Sequence, residues 1–277
     1  MTSGQVFRWD EIEPNRWLGV DGSNWYEVFV DGEDYAVKTN ASQASFRDLL
    51  RLDEDVEKHC RKIVTSAPEL AEYIDSLAGL RLMKPSDAVE ETFCFLCTSN
   101  NHIARILTMV RSLASFGEPM ADVQGQPVHR FPLVQVIAEI EESHLRELGF
   151  GYRARTIPAA AREMLRRGGE EWLESLKAKP YETAHKELIA LSGIGPKLAD
   201  CICLFALHHT QAVPVDTHLW QAAVRLYFPE WKGKSLTASR YQAIGDRFRA
   251  DHGELAGWAH QYLFYDNMKN WRNSRKG

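Results

Sequence analysis

Residues 192–220 read SGIGPKLADCICLFALHHTQAVPVDTHLW, with two glycines in four residues directly before a proline and an apolar run. Upstream, YETAHKELIAL (181–191) sets Ala184, Leu188 and Leu191 on one helical face. Glycine opens backbone angles closed to other residues. Pro196 suits the first position of a helix, where its missing N–H costs nothing. The stretch predicts a helix-hairpin-helix over 181–208. Such a hairpin presents unpaired backbone N–H groups at the positive end of its second helix, a seat for a phosphate. Gly193 and Gly195 are the candidate phosphate-binding positions. A tight turn between packed helices, with no ligand, is the plainer alternative.

A single lysine, Lys197, opens the second helix. A cation is electrostatically misplaced at a helix N-terminus. A lysine nucleophile must be uncharged, which desolvation and nearby positive potential favour by lowering its pKa. Asp216, after Pro214 and before the amphipathic run THLWQAAVRLYF, reads first as an N-cap, a contribution of about 1 kcal/mol. A buried carboxylate there can also stabilise the oxocarbenium-like state of a sugar C1′ under attack by an amine. The pair is expected to act as nucleophile and assisting carboxylate.

Outside this stretch the chain divides by pattern. Short aromatic and β-branched runs (VFRW, NRWLGV, NWYEVFV, YAVKT), punctuated by DGSN at 21–24 and DGED at 31–34, predict an antiparallel meander. From about residue 44 the period is helical, through SFRDLLRLDEDVEKHCRKI and PELAEYIDSLAGL. Pro85, with Ser86 and Asp87 as N-caps, opens DAVEETFCFLCTSN. Further helices are expected at 100–115, 134–140, 143–148, 153–167, 170–177, 181–191, 196–208, 216–228, 237–250 and 254–270. The fold class is α+β: a small N-terminal antiparallel sheet with helices over 1–82, and a larger helical body over 83–277.

Composition narrows the setting. The chain has 277 residues, 44% of them hydrophobic, enough for one large domain or two modest ones. The longest apolar run, CICLFAL at 201–207, is too short for a membrane helix, and the N-terminal residues lack a signal-peptide core. Five unevenly spaced cysteines suit reduced thiols better than a disulfide framework. Cys94 and Cys97 form a C-x-x-C without a second pair or companion histidines, so no metal site is expected. The expectation is a soluble intracellular monomer, cytoplasmic in a bacterium or nuclear in a eukaryote. The net charge of −5 is unevenly spread. Residues 1–82 hold 9 Lys+Arg against 16 Asp+Glu, and 83–277 hold 24 against 22. Within the latter, GYRARTIPAAAREMLRR (151–167) has five arginines and one acid, a local stripe able to track phosphates.

The segment 191–220 resembles the helix-hairpin-helix, Gly/Pro-rich loop and catalytic aspartate of the DNA glycosylase superfamily, and within it the 8-oxoguanine DNA glycosylases with associated lyase activity. GQVFRW (4–9), FLCTSNNHIARI (95–106), LGFGYRAR (148–155) and AGWAHQYLF (256–264) look like family motifs in family order. The resemblance implies a bifunctional enzyme acting on double-stranded DNA that contains oxidised guanine. It would flip 8-oxoguanine out from opposite cytosine, excise it through a lysine Schiff base and cleave the strand by β-elimination.

Residue by residue, the resemblance makes Lys197 the nucleophile and Asp216 its carboxylate. It puts Asn100 in the space the flipped base vacates, Arg105 and Arg153 on the estranged cytosine, and Tyr152 as a wedge beside it. Phe264 and Cys201 would cover the two faces of the extruded base, and the Gly4 carbonyl would accept the N7–H that marks 8-oxoguanine. His218 would lie near the phosphates. His260 departs from the glutamine that familiar members place on the Watson–Crick edge, and His102 departs from a third asparagine. No cysteine follows Cys203, so the iron–sulfur cluster of related enzymes is not expected. No cofactor is required; a structural monovalent or divalent cation on the hairpin carbonyls remains a candidate. The alternatives are a glycosylase for another damaged purine, such as a formamidopyrimidine, and a non-catalytic DNA-binding protein with the same hairpin.

Overall fold

The Asp-Gly pairs close hairpins. In the computed structural model, which describes residues 4–32 and 34–274, strands β1 (Trp9–Glu13), β2 (Arg16–Asp21), β3 (Asn24–Asp31) and β4 (Asp34–Thr39) form an antiparallel sheet in chain order. Asp21 faces Asn24 and Asp31 faces Asp34 across the two turns. The strand expected at VFRW begins only at Trp9, because Val6 and Phe7 turn inward to the sheet core and the helical core respectively. Gly19 lies opposite Trp9, and a Cβ there would sit 2.1 Å from the indole. Its bare backbone makes room for Trp9 to stack on Tyr26, ring centroids 5.9 Å apart.

The helical reading at 45–63 needs correction. α1 (Gln43–Leu49) and α2 (Val56–Ser66) are separate: Arg51 adopts φ +51, and Asp55 restarts the helix by accepting the Lys58 N–H at 2.8 Å. A 3-10 turn at Pro68–Leu70 leads into α3 (Ala71–Ser76). The division at residue 82 cuts across the packing. Val6, Trp9, Tyr26, Val28, Phe46, Leu49 and Met83 make the sheet core, whereas Ile63, Leu70, Ile74 and Leu77 belong to the larger core of the helical body.

α4 (Ala88–Leu96), capped by Asp87 through the Glu90 N–H, is buried along its whole length, Glu90 and Glu91 included. Glu90 pairs with Arg8 at 2.9 Å and accepts the Gly22 N–H at 3.2 Å, tying sheet to body. Burial pushes its carboxyl up to about 8. After α5 (Ile103–Ala114) comes a hairpin absent from the sequence reading, β5 (Pro119–Val123) and β6 (Gln126–His129). α6 (Val134–Glu139), α7 (Glu142–Glu147), α8 (Arg153–Arg167) and α9 (Gly169–Ser175) follow. α10 (Tyr181–Ile189) and α11 (Pro196–Cys201) are the two arms of the hairpin. α11 stops at Cys201 rather than continuing to 208, passing into a π-helical turn at Ile202–Ala206; such turns recur at functional sites. α12 (Thr217–Leu226), α13 (Ala238–His252) and α14 (Ala256–Ser274) complete the body. No helix among the described residues is long and apolar enough to cross a membrane.

Candidate active site

The hairpin is anchored from α8, where Glu163 accepts both the N–H and the hydroxyl of Ser192, at 2.6 and 2.7 Å. Gly193 turns the chain at φ +82, with Thr156 and Leu96 so close that a Cβ would lie 3.1 Å from Thr156. Gly195 differs from the expectation of a second special angle. It is extended, at φ −95 and ψ 178, and serves as the N-cap of α11. No side chain caps this helix, so its first N–H groups are open to a ligand. Lys197, second in α11, points into a cavity of about 440 Å³.

Asp216 reaches the same cavity from the start of α12. Its Oδ1 accepts the Leu219 N–H at 2.9 Å, so it is a cap and a cavity wall at once. Both expected partners therefore share one space. Gly4, Cys201, His218, His260 and Phe264 line it too. Phe264 is the hub: His260 stacks on it at 5.8 Å, His218 meets its edge at 5.9 Å, and a Cβ on Gly4 would touch it at 3.7 Å. His218 also contacts Asn267, at 3.4 Å.

The electrostatics depart from expectation at Lys197. Burial pulls its ammonium down, but Cys201, which it hydrogen-bonds, and Asp216 more than offset that, and the pKa is raised. Burial raises the Cys201 thiol against the opposing pull of Lys197. The lysine therefore rests as an ammonium beside a neutral thiol. His260 is held neutral: burial, then Lys197, push its pKa down to about 3. Its Nδ1 has no hydrogen-bond partner among the described residues.

The apolar wall was not singled out in the sequence. Phe7, Phe95 and Phe205 form an aromatic side of the cavity, Phe7 edge-on to Phe95 at 5.3 Å and Phe205 stacked on it at 5.5 Å. Met268, Ile106 and Pro214 add apolar surface. In a single sequence these side chains carry no mark to separate a cavity wall from ordinary core. His102 turns out to cap α5, its Nδ1 accepting the Arg105 N–H at 3.4 Å.

The mouth of the cavity opens into a cleft of about 630 Å³ lined by Thr98, Asn100, Gly195, Lys197, Asp216 and Trp220. On its rim, two loops meet. Asn100 is exposed with φ +46. The Tyr152 hydroxyl donates to the Ser99 carbonyl at 3.3 Å, and Arg105 donates to the Gly149 carbonyl at 2.7 Å. Arg153 lies 4.6 Å over the Tyr152 ring. Tyr152 is 53% exposed and Arg153 only 3%, yet Nε and Nη2 of that buried guanidinium find no hydrogen-bond partner among the described residues. Among the described residues no group of three or more His, Cys, Asp or Glu could hold a metal ion.

The HhH-GPD superfamily of base excision DNA repair proteins matches residues 93–245. The chain is 34% identical over 272 residues to the N-glycosylase/DNA lyase OGG1 of Arabidopsis thaliana, across 95% of this chain and 74% of that protein. An N-glycosylase/DNA lyase of Saccharomyces cerevisiae is 35% identical, across 67% of this chain and 56% of the yeast protein. The crystal structure of Clostridium acetobutylicum 8-oxoguanine glycosylase/lyase with double-stranded DNA containing cytosine opposite 8-oxoG superimposes with a TM-score of 0.85. It is 27% identical and covers 97% of this chain and 90% of that one. With family match, sequence identity and overall fold in agreement, the chain belongs to the HhH-GPD superfamily of base excision DNA repair proteins, and within it to the OGG1-type N-glycosylase/DNA lyases.

Proposed function

We propose that the protein excises 8-oxoguanine from opposite cytosine in double-stranded DNA and then cleaves the strand at the resulting site. The observation that carries this reading is the shared cavity: one lysine and one carboxylate on the wall of an aromatic chamber of about 440 Å³, within the roughly 300 to 1,000 Å³ typical of ligand sites. A base must leave the duplex to enter it. The raised pKa of Lys197 fits a sequence in which the ammonium supplies a proton. The C1′–N9 bond breaks with its electron pair going to the base, and Asp216 stabilises the cationic sugar. The departing base takes the Lys197 proton, and the freed amine adds to C1′. Ring opening gives the Schiff base. Loss of a C2′ proton then expels the 3′ phosphate.

Around this chemistry, Phe264 and Cys201 would cover the faces of the base and Gly4 would accept its N7–H. Neutral His260 meets its edge with a single donor or acceptor. On the rim, Asn100 would fill the vacated space and Tyr152 would wedge beside the opposite base, while Arg105 and Arg153 would read cytosine with planar guanidinium donors. His218 and the open α11 N-terminus at Gly193 and Gly195 would receive phosphates. An enzyme of this class works where the genome lies, which puts the chain inside the cell. Single-turnover excision on a duplex set varying lesion and opposite base tests the reading. Fastest release of 8-oxoguanine from opposite cytosine is expected; preference for another lesion would replace the substrate while leaving the site in place.

A further inference from the structure

Beside the base cavity, and sharing Lys197 with it, lies a second cavity of about 520 Å³ lined by Tyr181, His185, Asp200, Val215, Tyr241 and Arg249 among others. On its wall is Asp200, a carboxylate 2% exposed that the reaction sequence does not use. The Tyr181 hydroxyl donates to its Oδ1 at 2.5 Å, and the Tyr241 hydroxyl donates to its Oδ2. The Tyr241 oxygen in turn accepts the Val215 N–H at 3.4 Å. His185 lies 3.6 Å from the same carboxylate and contacts the Pro196 carbonyl at 3.2 Å. Burial, then Asp200, raises the pKa of both tyrosines, so both stay phenols and keep their donors.

The placement of this chain of contacts matters more than its strength. Asp200 is three residues from Lys197 on a six-residue helix whose N-terminus no side chain caps. Val215 directly precedes Asp216, in a segment (212–216) that belongs to no helix or strand. The segment carrying Val215 has no helix or strand ladder of its own, and α11 and α12 are separate helices, so the relative position of Lys197 and Asp216 depends on tertiary contacts. The Tyr241 hydroxyl, brought in by α13, bridges the two.

We propose, on the strength of the reading above, that Asp200 and Tyr241 are positioning residues: the carboxylate, phenol and Val215 amide together set the separation of Lys197 from Asp216. The two tyrosines provide an internal control. Tyr181 meets the same carboxylate but does not reach Val215. Tyr241→Phe is expected to slow single-turnover excision about ten- to a hundredfold, the scale of a misplacement of about 1 Å, with affinity for the lesion duplex unchanged. Tyr181→Phe is expected to lower the melting temperature similarly and leave the excision rate unchanged. Asp200→Asn, which still offers one acceptor and one donor, should recover most of what Asp200→Ala loses. The same ratio is read by borohydride trapping on a duplex with a preformed abasic site, which needs no particular base. A wrong lesion assignment therefore shows as poor wild-type excision with the trapping ratio intact. Equal rates for Tyr241→Phe and wild type, or equal slowing by both tyrosine variants, would overturn the proposal.

Discussion

The cavity and its rim are built on opposite terms. In the cavity, Lys197 and Asp216, the proposed reacting groups, sit on helix starts beside aromatic walls, and Asp216 is also a helix cap. On the rim, Asn100 is held in the left-handed region and Tyr152 stands out in solvent. Arg153 carries buried donors without partners among the described residues, a costly arrangement for a cation unless something arrives to pair with it. Under the proposed function the cavity holds the chemistry and the duplex would complete the rim. The difference teaches that chemistry and recognition of the opposite base should be separable by mutation.

Substitutions should separate the two regions accordingly. The largest effect after loss of the lysine belongs to Asp216→Asn. Asparagine caps a helix as well as aspartate, so the melting temperature should hold while single-turnover excision falls by about 10²- to 10³-fold, and binding of the lesion duplex persists. Unchanged excision would reduce Asp216 to a cap. Next comes Arg153→Ala. It should leave excision opposite a missing base nearly untouched and erase roughly 1–3 kcal/mol of preference for cytosine over other opposite bases. If instead it slowed chemistry opposite every base, the division between cavity and rim would break.

Two subtler experiments sharpen the picture. Since the pKa of Lys197 is raised above its usual value, excision should show no rise in rate between pH 7 and 9. A neutral resting amine as the required form would instead give about a tenfold rise per pH unit below its pKa. The smallest effect is on stability. Folding raises Glu90 from 4.5 to about 8 and Asp21 from 3.8 to about 6, burial being the main cause. The folded chain holds these protons more tightly, so their contribution to stability falls as pH rises through those windows. His208 and His260, lowered from 6.5 to about 4 and about 3, act in the reverse sense and fade only as the unfolded imidazoles finish deprotonating, about a unit above 6.5. Above about pH 7 Glu90 dominates the four, and Glu91, which burial raises well above its usual value, acts in the same sense. The melting temperature should decline from about pH 7 to pH 8, and Glu90→Gln should lessen the decline.

Much of this was legible in the residues because it rests on local chemistry. The Asp-Gly turns, the Asp87 cap and Pro196 at the start of α11 all follow from short-range rules; the shared space of Lys197 and Asp216 is a tertiary fact, legible only through their paired chemistry and the motif resemblance. The β5–β6 hairpin escaped because its turn residues, Gln124 and Gly125, both at positive φ, are not the Asn-Gly or Asp-Gly pair that usually marks such turns. The π-helical turn after Cys201 was invisible because CICLFAL reads equally well as continuous helix. The rise in the Lys197 pKa was missed for a different reason. The helix end and burial, visible in the sequence, push it down, while Cys201, one turn on along the helix, and Asp216, brought close by folding, push it up.

The central claim is that one amine, that of Lys197, forms the covalent bond to the sugar. Borohydride reduction during turnover of an 8-oxoguanine duplex, followed by peptide mapping of the adduct, tests it most directly. The adduct should map to the peptide containing Lys197 and vanish in Lys197→Gln. Full trapping by that variant, or an adduct on any other amine, would contradict the account.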